Sequence, residues 1–116
     1  MNVGITGATG QMGSTVITQA REHDITIGAA VSRKATKHPE VDIQNDDAFA
    51  ELVQHKNITV IIDFTTPEAT LEYLQIASEY NIPMVIGTTG FSTTQTETIR
   101  EYGNNIPVLK ATNFSP

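Results

Sequence analysis

Three glycines stand three residues apart in GATGQMG, at Gly7, Gly10 and Gly13, just after the apolar run NVGIT. Glycines spaced like this govern approach rather than reaction. The first can turn the chain sharply, the second can let backbone N–H groups close on a pyrophosphate, and the third can let a helix lie tight on a sheet. A helix start beyond them would present its positive end to the anion. The spacing G-x-x-G-x-x-G is one residue longer at the front than the usual dinucleotide fingerprint, and a glycine-rich turn without ligand is the plain alternative. A P-loop is ruled out, because no Gly-Lys-Ser/Thr follows and no lysine precedes Lys34.

A second place tests a dinucleotide reading. In such folds the end of the second strand, about 20 residues past the last glycine, meets the adenosine ribose, and an acid there suits NAD. Here the run ends Val31-Ser32-Arg33-Lys34, with two cations and no acid. A guanidinium suits a 2′-phosphate. Arg33 therefore favours NADPH, with NADH left open. Other reactive constellations are missing. His23, His38 and His55 are isolated and read as surface residues, and no paired carboxylates, Ser-His set or metal-ligand cluster stands out. Without cysteine there is no thiolate catalysis and no cysteine-held metal.

The elements that would hold these residues alternate. NVGIT (2–6), ITIGAAV (25–31), ITVIIDF (58–64), PMVIG (83–87) and IPVLKA (106–111) read as strands covered on both faces, with VDIQ (41–44) as a weaker edge strand. Helix signals lie between them. Met12, Val16 and Ala20 repeat at four-residue spacing, and Asn45-Asp46-Asp47 offers N-caps before AFAELV. Thr66-Pro67-Glu68 reads as N-cap, first-turn proline and acid, while Ser92 and Gln95 form a capping-box pattern closed by Gly103. SRKATKHPE (32–40) reads as a loop. The alternation predicts an α/β fold: a Rossmann-like, doubly wound parallel sheet of five to six strands, order 3-2-1-4-5-6, with helices on both faces.

A chain of 116 residues suits one domain, residues 1–116. A net charge of −6 argues against general binding to nucleic acid or anionic membranes. No apolar run approaches the ~20 residues of a membrane span, so a cytoplasmic home is the default expectation.

Four stretches in order then carry a family resemblance: GATGQMG, IIDFTTPEAT (61–70), MVIGTTGF (84–91) and ATNFSP (111–116). Together they resemble the 4-hydroxy-tetrahydrodipicolinate reductase family, formerly dihydrodipicolinate reductase. The resemblance covers essentially the whole chain. It implies hydride transfer from NADH or NADPH to a cyclic intermediate of diaminopimelate and lysine synthesis. It also implies roles by position. Gly7, Ala8, Thr9, Gly10, Gln11 and Met12 would form the pyrophosphate loop, with Gln11 where the family usually has arginine. Arg33 would meet the adenosine 2′-phosphate, and Ser32 falls where some members have a ribose-binding acid. Gly87, Thr88 and Thr89 would line the nicotinamide and its ribose. Ala111, Thr112, Asn113 and Phe114 would close the cofactor site.

The same resemblance places the substrate pocket, a His-His-x-x-Lys type catalytic element and a tetramer-forming sheet in a second domain, none of which is in this chain. No catalytic residue is therefore assigned here, and the chain alone is expected to bind cofactor with negligible turnover. Two other readings stay open: a short-chain or NmrA-like oxidoreductase fragment, although Tyr73 and Tyr80 lack a lysine four residues on, and a non-catalytic NADP(H)-binding module or redox sensor.

Overall fold

In the computed structural model, which describes residues 1–34, 36–38 and 41–111, the apolar runs become strands of one sheet. They are β1 (Asn2–Thr6), β2 (Thr26–Ser32), β3 (Thr36–Lys37), β4 (Asp42–Asn45), β5 (Val60–Asp63), β6 (Met84–Ile86) and β7 (Val108–Lys110). Their order across the sheet is β3-β4-β2-β1-β5-β6-β7. From β4 to β7 every neighbouring pair is parallel. Counted without β3, these strands read 3-2-1-4-5-6, the order expected from sequence. The departure is β3, which pairs antiparallel with β4 inside the segment read as loop. Its two residues form a short hairpin with β4, and the pairing defines them as strand.

Helices connect the strands: α1 (Gln11–Glu22), a 3₁₀ turn (Asp46–Ala48) leading into α2 (Phe49–His55), α3 (Pro67–Glu79) and α4 (Thr93–Tyr102). Their starts follow local chemistry. Thr66 accepts from the Ala69 N–H with Pro67 in the first turn, and Ser92 and Gln95 form a full capping box. Asn45 caps the 3₁₀ turn by accepting from the Asp47 N–H. Gly103 ends α4.

The sheet has two unequal sides. On one, α2, α3 and α4 bury Phe49, Leu74 and Ile99 against Val31, Ile61 and Ile86. On the other, α1 alone lays Ile17 over Val3, Ile5 and Ala30. The stripe α1 buries is Gly13, Ile17 and Ala20, while Met12 is 56% exposed and Val16 half-buried. The expected Met12-Val16-Ala20 stripe is therefore off by one position at its first two members. A register shift between Val3 and Gly4 lets Ile27 and Ala29 face opposite sides of β2. Each side of that strand thereby receives an apolar residue.

Candidate functional site

The β1–α1 loop gives each of its glycines a separate reason. Gly7 has φ +74°, and a Cβ there would fall 2.0 Å from the Phe64 carbonyl oxygen. A Cβ on Gly13 would lie 2.4 Å from the Gly7 oxygen, so α1 can rest on the loop only with glycine at that place. Gly10 differs. Its backbone is ordinary extended chain (φ −71°, ψ 166°), and a Cβ would meet only the Gly7 oxygen, at 3.5 Å. Nothing in the folded chain requires glycine there, whereas close approach by a bound group would. Gly10 is also the N-cap of α1, makes no side-chain cap, and is followed by no first-turn acid. The N–H groups that α3 and α4 satisfy with Thr66 and Ser92 receive no side-chain cap at the start of α1.

A cavity of about 420 Å³ opens directly at this loop. That is within the range of roughly 300–1,000 Å³ for small-molecule sites. Gly7, Thr9 and Gly10 form one wall; Ser32, Arg33, Lys34 and Asp46 form a second; Phe64, Thr65, Thr66, Ala69 and Tyr73 form the third. All three walls stand at the C-terminal ends of parallel strands, where ligands of open α/β sheets bind. Another hollow of about 440 Å³, beside Arg21 and Asp24, sits at the opposite edge of the sheet and away from those ends.

Tyr73 reaches the cavity from α3, its ring edge-on to Phe49 with centroids 5.2 Å apart. Burial first, then the nearby carboxylates of Asp46, Asp63 and Glu72, push its hydroxyl well above the usual tyrosine range.

Beneath the cavity lies a wholly buried carboxylate. Asp63 accepts from four threonine hydroxyls: Thr6 (2.6 Å) and Thr65 (2.6 Å) on Oδ1, Thr70 (2.5 Å) and Thr88 (2.8 Å) on Oδ2. These threonines come from β1, the β5–α3 loop, α3 and the β6–α4 loop. Thr88 Oγ1 also accepts from the Thr65 N–H at 2.7 Å. Backbone bonds from Phe64 N–H to the Thr6 oxygen (3.0 Å) and from Gly87 N–H to the Asp63 oxygen (2.7 Å) carry the pairing past the strand ends. Asp63 thus holds three strand ends and α3 in one arrangement through hydroxyls, rather than by capping N–H groups of its own turn.

Comparison with known proteins agrees with this geometry. The profile described as "Dihydrodipicolinate reductase, N-terminus" matches residues 1–114. The chain belongs to this family. It is 40% identical over 117 residues to 4-hydroxy-tetrahydrodipicolinate reductase of Natronomonas pharaonis, covering 99% of this chain and 46% of that protein. The chain spans about half the length of the curated relatives it matches. Among solved structures it resembles dipicolinate-bound dihydrodipicolinate reductase from Paenisporosarcina sp. TG-14, with TM-score 0.71, 21% identity, and coverage of 96% of this chain and 46% of that one. The protein RSP in complex with beta-NAD+ and operator DNA shares the fold at TM-score 0.72 and 9% identity, covering 95% of this chain and 50% of its own.

Of the residues singled out from sequence around the glycine loop and the end of β2, Gly7, Thr9, Gly10, Ser32, Arg33 and Lys34 line the cavity. Ala8 is buried in the core and gives its N–H to the Val31 oxygen. Gln11 and Met12 lie exposed on the first turn of α1. A Cβ on Gly87 would strike the Phe64 ring, and the Thr88 hydroxyl is committed to Asp63 and Thr65, so these two shape the wall from behind. Thr89 is exposed and Ala111 half-buried at the end of β7. Thr112, Asn113 and Phe114 lie outside the described residues. His23 and His55 are exposed as expected, whereas His38 is half-buried with its ring 3.2 Å from Ser14 Oγ. Sequence reasoning missed Asp46, Ala69 and Tyr73 as lining residues. Ala69 and Tyr73 do share a helix face in the four-residue pattern, but Asp46 carries only a capping signal.

Proposed function

We propose that this chain is the dinucleotide-binding part of a reductase that acts on 4-hydroxy-tetrahydrodipicolinate in diaminopimelate and lysine synthesis. The observation that carries the reading is the uncapped, acid-free start of α1 at Gly10, opening onto a cavity shared with Arg33 and the β5–α3 loop. When bound, NADPH or NADH supplies the hydride.

The chain's own residues bind and orient. The loop from Gly7 to Met12 receives the pyrophosphate on backbone N–H groups, with Gln11 offering a neutral amide where the family usually has a cation. Arg33 holds the adenosine 2′-phosphate, which favours NADPH. Thr88, whose hydroxyl is held by Asp63, positions the nicotinamide end together with Gly87 and Thr89. Substrate binding and protonation belong to the part of the family's chain not present here, so turnover by residues 1–116 alone is expected to be negligible. Calorimetric titration with NADPH and NADH tests the reading. Binding of either at or below millimolar concentration is the expected result; no binding of either up to that level overturns it.

A further inference from the structure

Position 32 carries a serine where an acid would read an unphosphorylated ribose, yet the cavity does contain an acid. Ser32 and Asn45 are register partners at the ends of parallel β2 and β4, so the next residue on each strand, Arg33 and Asp46, leaves the sheet side by side. Both line the cavity. One side chain links the two strand ends. The Asn45 side chain spans the gap, donating from Nδ2 to the Arg33 oxygen (2.8 Å) and accepting from the Asp47 N–H on Oδ1 (2.8 Å). From α3, Tyr73 lines the same wall, its hydroxyl within the electrostatic reach of the Asp46 carboxylate. Asp46 therefore enters the cavity wall beside Arg33.

We propose that Asp46 reads the adenosine end of the dinucleotide and limits the preference for NADPH that Arg33 creates. The inference rests on the dinucleotide reading of the cavity. A carboxylate only accepts hydrogen bonds. It suits the ribose hydroxyls of NADH or the amino group of adenine. Toward a 2′-phosphate it is a like charge and repels, while Arg33 and Lys34 attract. The acid that other dinucleotide folds place at the end of the second strand is supplied here from the neighbouring one.

The test is titration of the full chain, wild type and Asp46→Asn, with NADH, NADPH and reduced nicotinamide hypoxanthine dinucleotide. Asp46→Asn is expected to raise the ratio of NADPH to NADH affinity about three- to tenfold. Asp46→Ser removes the same charge with a smaller side chain and is expected to move the ratio the same way; it carries the test if Asp46→Asn does not fold. If the hypoxanthine analogue binds wild type more weakly than NADH, and Asp46→Asn removes that difference, the acid meets the adenine amino group. Equal binding of the two by wild type assigns it to the ribose. An unchanged NADPH/NADH ratio in a folded variant, with wild type binding both, overturns the role of Asp46 alone. Failure of wild type to bind any of the three overturns the cavity reading as well.

Discussion

Gly10 and Gly13 look alike in the sequence and should behave in opposite ways when replaced. A Cβ on Gly13 has backbone at 2.4 Å and nowhere to go. Gly13→Ala should cost about 1–3 kcal/mol by overpacking, read from denaturant unfolding. Gly10→Ser meets no clash and supplies the missing cap to α1. It should stabilise the free chain by a few tenths of a kcal/mol. Its hydroxyl then occupies the N–H groups proposed for pyrophosphate, so NADPH affinity should fall; a more stable variant with unchanged affinity would place the anion elsewhere. Asp63 makes the sharpest prediction at this scale. An asparagine has one acceptor oxygen where the carboxylate has two, and its amide is a donor facing hydroxyl donors. Asp63→Asn should lose about 2–4 kcal/mol, measured by thermal or urea unfolding.

Among the elements, α3 joins the site to the core. Tyr73 packs edge-on against Phe49, and burial, with the nearby Asp46 carboxylate second, holds its hydroxyl protonated above the ordinary value of 10.0. The folded state therefore keeps a proton that the unfolded chain gives up near pH 10. The stability it confers is fully present below that pH and declines as pH rises above it. Denaturant unfolding between pH 9 and 11 should show this decline (pH values set about the tyrosine pKa), and Tyr73→Phe should flatten it.

The caps of α3 and α4 were readable because Thr66, Ser92 and Gln95 act within their own turn. The strand order was readable because β-α alternation restricts the ways to wind. Other features depend on partners far away in the chain. The buried stripe of α1 is set by the strands beneath it. Asp46 looked like a helix cap because nothing local reveals that Arg33 emerges beside it. The bond from the Thr88 hydroxyl to Asp63 was not readable because it spans 25 residues.

For the molecule as a whole, binding and folding are coupled. A ligand that requires the assembled walls of β1, β2, β4 and β5 binds the native state and not the unfolded chain. NADPH at a hundred times its dissociation constant should add about 2.7 kcal/mol of stability. The melting temperature followed by dye fluorescence should rise accordingly; measurable binding without such a rise would mean that the ligand does not need those walls.

The Asp63 cluster also bears on motion. Loop amides next to a ligand cavity ordinarily exchange their hydrogens through small local openings. The Thr65 N–H cannot do so, because its acceptor Thr88 Oγ1 is itself held by Asp63. Releasing that one proton to solvent requires separating strand ends that β1 and α3 also hold. Hydrogen exchange at Thr65 should therefore be as slow as in the central strands, leaving the floor of the cleft rigid on the timescale of global unfolding.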